Sequence, residues 1–114
     1  MKNIKIIEVP SEIGAGTRGA SLGIEAIKIA ALDFMSNFFI HFPSEKIQVE
    51  NKLLYEPIES PYAKRIKGIA AIYERLGKSV CDSMKNNFFP VVLSGDHSTS
   101  AATIAGIKMA KPKS

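Results

Sequence analysis

The run FFPVVL at residues 88–93 is apolar throughout, with no alternation between polar and apolar positions. Such a run is typical of a strand whose two faces are both covered, as in the interior of a parallel sheet. Ser94 and Gly95 follow where the strand should end, and residues 98–110 are small and apolar enough to predict a closely packed helix. The segment therefore predicts an inner parallel strand, a turn and a helix.

Strand-like and helix-like segments alternate along the rest of the chain. Residues 4–9 form a β-branched run that Pro10 ends, and residues 24–35 have the apolar density of a helix. The aromatic run at residues 37–42 predicts a second strand, and residues 43–61 predict a long irregular connection. This alternation predicts an α/β fold with parallel strands joined by right-handed crossovers.

The clearest helical pattern lies in the third quarter of the chain, where apolar residues recur every three or four positions. The members of this stripe are Tyr62, Ile66, Ile69, Tyr73, Leu76, Val80 and Met84. Most of the charged residues fall off the stripe, toward solvent. The helix should end near Asn86 and Asn87, because asparagine tolerates the left-handed conformation common at helix C-termini.

Composition narrows the possible functions. With 114 residues, 46% hydrophobic and 23% charged, the chain fits one globular domain. The net charge of +4 comes from scattered lysines without interleaved aromatic residues, so we expect no nucleic-acid partner. No run approaches the ~20 apolar residues of a membrane helix, the N-terminus is too charged for a signal peptide, and Cys81 is the single cysteine. A cytoplasmic protein without a membrane partner is expected.

The glycines in residues 14–19 match the pattern G-x-G-x-x-G. In dinucleotide sites this pattern turns directly from strand into helix, and an acidic residue ends the second strand. Here residues 10–13 intervene, and residues 40–42 are apolar or histidine. We therefore interpret the segment as a loop at the rim of an active site. Arg18 within it binds a carboxylate or phosphate, anchors the loop to a neighbouring carbonyl, or lies in solvent.

Of the two histidines, His41 lies in the aromatic run and is expected to be structural, whereas His97 follows the end of the apolar strand. Ligands of open α/β sheets bind at the carboxyl ends of the strands, and imidazole is the commonest metal-binding side chain. A Ser-His-Asp triad within residues 94–98 is excluded, because neighbours on one turn cannot face each other. His97 is thus either a metal ligand or a structural histidine.

Two segments resemble the ureohydrolases, the arginase and agmatinase family. Residues 89–107 are similar to its pattern V-L-G-G-D-H-S and the helix that follows, and residues 11–28 to its glycine-rich loop with R-G and an L-G-P helix start. Both occur in the expected order, and the loop is closer to that of arginases. Ser94 replaces the usual first glycine, and Ile24 replaces the proline that commonly opens the helix.

The resemblance implies a three-layer α/β/α sandwich around a mostly parallel sheet, with residues 1–114 as a single partial domain at its N-terminal end. It implies manganese-dependent hydrolysis of the guanidinium group of arginine to urea and ornithine, with two Mn²⁺ ions and His97 as one metal ligand. A metal pair suits this reaction because the guanidinium carbon is a poor electrophile and the metals lower the pKa of bound water. The implied partners are a small-molecule guanidinium substrate and, at full length, further copies of the chain.

The remaining metal ligands of the family lie in D-x-H-x-D and D-x-D patterns, and neither pattern occurs in this sequence. We therefore expect a truncated N-terminal portion of a ureohydrolase that is inactive alone. Two alternatives remain open. The first is another substrate within the family, as in agmatinase, formiminoglutamase or guanidinobutyrase. The second is a non-catalytic α/β module that binds a partner protein through the unfinished edge of its sheet.

Overall fold

The computed structural model describes residues 3–57 and 65–112. The helices and strands are β1 (Asn3–Val9), α1 (Leu22–Asp33), α2 (Phe38–His41), β2 (Ser44–Lys46), α3 (Ile66–Lys85), β3 (Phe88–Ser94) and α4 (Ser100–Ala110). Two 3₁₀ segments, Asn51–Tyr55 and His97–Thr99, complete the described structure.

The three strands form a parallel sheet in the order β2-β1-β3. Successive residues of a strand point to opposite sides of the sheet. In β1 these two sides face different helices. Ile7 and Val9 of β1 lie in the hydrophobic core formed with α3, whereas Glu8 between them binds Lys28 of α1 at 2.9 Å. The predicted α/β fold with a parallel sheet is confirmed.

β3 differs from its predicted position. It pairs with β1 along its whole length, but among the described residues no strand lies on its other side, so β3 is an edge strand and β1 the inner one. Phe89 of β3 is 51% exposed. None of the β3 side chains is buried, so the prediction that both faces of this strand are covered is wrong for the described residues.

The prediction of a strand at residues 37–42 is wrong. Phe38–His41 forms one helical turn, and β2 begins after Pro43, inside the segment predicted to be irregular. The ring of Phe38 lies 5.1 Å from that of Phe42, an i, i+4 contact that a helical turn permits and an extended strand does not. His41 on this turn is exposed.

The predicted stripe of α3 is confirmed in part. Leu76 and Val80 are buried in the core, with Ile69, Tyr73 and Met84 packed against it. Ile72, which the stripe did not include, is buried as well, whereas Ile66 is exposed and Tyr62 lies outside the described residues. The helix ends as predicted, with Asn87 in the left-handed region at φ 63°. None of the described helices is long and apolar enough to cross a membrane.

α4 packs closely on α3, as its small residues predict. Ala102 and Gly106 are buried in this contact, whereas Ala101 and Ala105 lie on the exposed side. A Cβ atom at Gly106 would lie 2.6 Å from the carbonyl oxygen of Gly77 and 2.7 Å from Cβ of Val80. The helix spacing therefore requires glycine at this position.

The loop between β1 and α1 is built around a buried carboxylate. Oε2 of Glu12 accepts hydrogen bonds from the backbone N–H of Gly19 (2.6 Å) and from the backbone N–H and hydroxyl of Ser21 (both 2.9 Å). Nε of Arg18 lies 2.8 Å from Oε1. The hydrogen bond from the Ser21 N–H makes the largest contribution to lowering the pKa of Glu12 below its ordinary value. Burial of the carboxylate acts in the opposite direction.

We predict that Gly106→Ala lowers the free energy of unfolding by roughly 1–3 kcal/mol, because the added methyl forces α4 away from the α3 backbone. Gly23→Ala is the matched control. Nothing lies within 4 Å of a Cβ at Gly23 in α1, so alanine there should be neutral or stabilise by up to about 1 kcal/mol. Urea denaturation measures both, and equal effects of the two variants would contradict the packing of α4 on α3.

We predict that Glu12→Gln destabilises the chain near pH 7 by on the order of 1–3 kcal/mol, because an amide replaces a carboxylate that accepts several hydrogen bonds. In the folded state the pKa of Glu12 lies below the ordinary value of a glutamate carboxyl group. Its contribution to stability is therefore present above that value and is lost as pH falls through the folded-state pKa.

The difference between Glu12→Gln and the parent should accordingly shrink in acid, which urea denaturation between pH 3 and pH 7 measures. Glu25→Gln is the control, since the Glu25 side chain is exposed and its ion pair with Lys28 lies at the surface. A constant difference across the pH range would show that Glu12 is not the group responsible.

Candidate functional site

The candidate site lies where β1 and β3 end side by side. Val9 pairs with Ser94, and the backbone N–H of Gly95 donates to the carbonyl oxygen of Val9 at 3.0 Å. The two segments that follow, residues 10–21 and 95–99, therefore leave the sheet at the same edge, which is the carboxyl edge where ligands of parallel sheets bind. We call them the glycine-rich loop and the His97 turn.

The loop and the turn touch through positions that have no side chain. A Cβ atom at Gly95 would collide with the carbonyl oxygen of Ser11. One at Gly14 would lie 2.6 Å from Cβ of Ser98 and 2.9 Å from Oδ1 of Asp96. Glycine at both positions lets the two backbones approach this closely.

Asp96 holds the His97 turn together. Its Oδ1 accepts from the backbone N–H of Ser98 at 2.9 Å and from the Ser98 hydroxyl at 2.5 Å, which caps the 3₁₀ segment. Its Oδ2 accepts from the backbone N–H of Gly14 at 3.0 Å. On the other side, the hydroxyl of Tyr73 in α3 donates to the carbonyl oxygen of Ser98.

Ser94, which departs from the usual glycine of the family pattern, fits into this arrangement. Its hydroxyl donates to the carbonyl oxygen of Asp96 and accepts from the hydroxyl of the buried Thr99, both at 2.8 Å. The serine therefore adds hydrogen bonds under the turn without disturbing it.

His97 projects from this braced turn into solvent. Its Nδ1 lies 3.2 Å from the hydroxyl of Ser100, and its Nε2 has no hydrogen-bond partner among the described residues. Beside it is an open cavity of about 600 Å³ on the unpaired side of β3, lined among others by Val92, Thr103 and Ile104. The ring can therefore offer Nε2 to a ligand that enters the cavity.

The described residues offer one imidazole donor for a metal and do not form a complete metal site. The part of the chain that the structure describes contains no group of three or more His, Cys, Asp or Glu side chains able to hold a metal. The Asp96 carboxylate is already committed to the Gly14 and Ser98 hydrogen bonds. His97 fits a metal as a single imidazole donor, and further ligands would have to come from elsewhere.

The glycine-rich loop is not arranged as a phosphate cradle. The N–H groups of Gly19 and Ser21, which stand just before α1, are bound to the Glu12 carboxylate. Arg18 contacts the same carboxylate and lies 5.9 Å from the ring centre of Tyr55. Of the roles considered for Arg18, the structure supports that of an anchor of the loop, through the Glu12 carboxylate instead of a carbonyl.

The sequence did not reveal the positioning roles of Glu12 and Asp96. Asp96 carried one local signal, since an aspartate two residues before a serine is typical of a turn capped by a side chain. Glu12 carried none, because its partners are brought to it by the path of the loop.

Comparison with known proteins places these features in a family. A model of the arginase family matches residues 2–113. The arginase of Brevibacillus brevis is 34% identical over 118 residues, and that of Bacillus caldovelox is 30% identical over 112 residues. These matches cover 93% and 94% of this chain but 36% of each relative, so the chain spans about a third of the length of the curated relatives it matches.

Solved arginase structures share the fold. The 1.7 Å crystal structure of Bacillus subtilis arginase superposes with a TM-score of 0.70 and 28% identity, covering 93% of this chain and 34% of that one. The native Bacillus caldovelox arginase at pH 5.6 gives a TM-score of 0.69 and 29% identity, covering 94% and 36%. From the matched residues and the shared parallel sheet, we conclude that the chain belongs to the arginase family and corresponds to an N-terminal part of its fold.

Proposed function

We propose that the chain is the N-terminal portion, as a single partial domain, of an arginase-like ureohydrolase that hydrolyses the guanidinium group of arginine to urea and ornithine. The observation that carries the proposal is the exposed His97 imidazole, held on a braced turn at the carboxyl edge of the sheet with Nε2 free. Membership of the arginase family supplies the reaction class.

His97 would hold one manganese ion through Nε2. When bound, a manganese pair supplies a nucleophilic hydroxide near neutral pH, which the unreactive guanidinium carbon requires. The hydroxyl oxygen of Ser100, 3.2 Å from Nδ1, is placed to accept a hydrogen bond from Nδ1–H, the tautomer that has a lone pair at Nε2. Asp96 and Tyr73 hold the backbone on either side of the ring.

Arginine is favoured as the substrate because the curated relatives quoted above are arginases. The other substrates of the family, those of agmatinase, formiminoglutamase and guanidinobutyrase, remain the alternative. We further propose a cytoplasmic location and a homo-oligomer at full length. Exposed apolar side chains on and after α1 support further packing: Leu22, Ile29, Leu32, Phe34 and Met35.

The open edge of β3 favours a second candidate function, a non-catalytic module that binds a partner protein there. Within the described residues no strand covers this edge. Such a module would need neither manganese nor a free imidazole, so the two proposals differ in what substitution of His97 should do.

We predict that His97→Ala lowers bound manganese from two ions toward one per subunit and reduces urea release by orders of magnitude, because a metal ligand is lost. A suitable assay protein is a hybrid in which this chain replaces the matched 36% of Brevibacillus brevis arginase. Elemental analysis and a urea assay with arginine measure the two effects.

His41→Ala is the matched control, since His41 is the other histidine and lies exposed on α2. It should change neither manganese content nor urea release. Unchanged manganese in the His97→Ala hybrid would remove His97 from the metal site.

We predict that the 114-residue chain alone releases no urea from arginine and has no tight manganese site. One imidazole cannot retain Mn²⁺, which is low in the affinity order of divalent metals and needs several donors together. The exposed apolar edge at β3 should also cause association. A urea assay with added Mn²⁺, run beside sedimentation of the same sample, tests this; turnover by a monodisperse monomer would contradict it.

A further inference from the structure

We propose that Asp96 is a positioning residue for His97, because its hydrogen bond to the Gly14 N–H ties the His97 turn to the glycine-rich loop. The orientation of the imidazole then depends on the loop as well as on β3. This inference rests on the proposed role of His97 as a metal ligand, and it concerns how that ligand is held.

The bond between Asp96 Oδ2 and the Gly14 N–H joins segments 82 residues apart in the sequence. Among the described residues, it is the one hydrogen bond found between the glycine-rich loop and the His97 turn. The other contacts between them are the close approaches at Gly14 and Gly95. Van der Waals contact limits how near the two segments come, whereas the hydrogen bond gives the contact a direction.

The loop is a firm attachment point. Glu12 binds Gly19 and Ser21 at its far end. The backbone N–H of Glu12 donates to Oδ1 of Asn51, whose own amide nitrogen donates to the carbonyl oxygen of Pro10, both at 2.8 Å. Asp96 thus connects the turn to a loop that is itself held in place.

The two carboxylate oxygens of Asp96 have separate tasks. Oδ1 binds the N–H and hydroxyl of Ser98, the residue after His97, and Oδ2 binds Gly14. Rotation of the carboxylate would break one set or the other. The backbone on both sides of His97 is therefore fixed relative to the loop, which sets the direction of the Cα–Cβ bond from which the imidazole projects.

Asp96→Asn separates these tasks. Asparagine caps a helical turn as well as aspartate does, so Oδ1 can still accept from the Ser98 N–H. The amide nitrogen that replaces Oδ2 cannot accept from the Gly14 N–H, so this bond alone is lost. Asp96→Ser is a second variant with the same logic, because serine can cap the turn but has no second oxygen for Gly14.

Asp82→Asn is the matched control, because Asp82 is exposed on α3 and the substitution makes the same change of charge. On the full chain, amide hydrogen exchange at Gly14 should accelerate about tenfold or more in both Asp96 variants. Three-bond couplings should show one His97 side-chain rotamer in the parent and averaging in the Asp96 variants, with His41 unchanged. Asp82→Asn should alter neither measurement.

In the hybrid with Brevibacillus brevis arginase, Asp96→Asn should weaken manganese binding roughly 10- to 100-fold, as loss of a group that orients a metal ligand does, while the melting temperature stays near that of Asp82→Asn. Unaltered Gly14 exchange, or one His97 rotamer in both Asp96 variants, would overturn the proposal. If the unsubstituted hybrid binds no manganese, the proposed function fails, and the exchange and coupling data still decide whether Asp96 positions His97.

Discussion

The parallel pairing of β1 with β3 is the constraint on which the rest of the structure depends. The two strands are in register from Asn3 with Phe88 to Val9 with Ser94, so they end together. Each then turns away from the sheet through a segment with a glycine at the point of contact. A shift of one residue in this register would turn the side chains of β1 to the opposite faces. It would also separate Gly14 from Asp96 and leave the His97 turn without its attachment to the loop.

The local pattern of the sequence was enough to predict the elements that bury one face. The stripe of α3 predicted the core residues Leu76 and Val80 together with the end of the helix, because a period of three to four residues persists along the helix, but it left out the buried Ile72. The prediction of a strand from the aromatic run at residues 37–42 failed because the opposite conditions hold there. It is short, and aromatic residues are common in strands, so nothing in its composition revealed that the rings of Phe38 and Phe42 would meet edge to face across one helical turn.

The sequence predicted where the candidate site lies, but only part of what holds it together. His97 could be placed at the end of a strand because the apolar run before it and Gly95 are adjacent in the sequence. The groups that hold its turn in place come from far along the chain: Tyr73 binds Ser98 from 25 residues away, and Gly14 binds Asp96 from 82 residues away. Contacts of this kind depend on the tertiary fold, and a single sequence contains no local pattern for them.

The backbone groups of β3 determine which hydrogen-bond donors lie on the open edge of the sheet. Because Gly95 donates its N–H to β1, and because backbone groups alternate in direction along a strand, the groups of Val91 and Leu93 face β1. Those of Phe88, Pro90 and Val92 face the open edge. Proline has no N–H to donate, so Pro90 costs the pairing with β1 nothing and leaves one gap in the donors of the open edge. A strand added there would find the donors of Phe88 and Val92 on either side of that gap, beside the cavity that His97 lines.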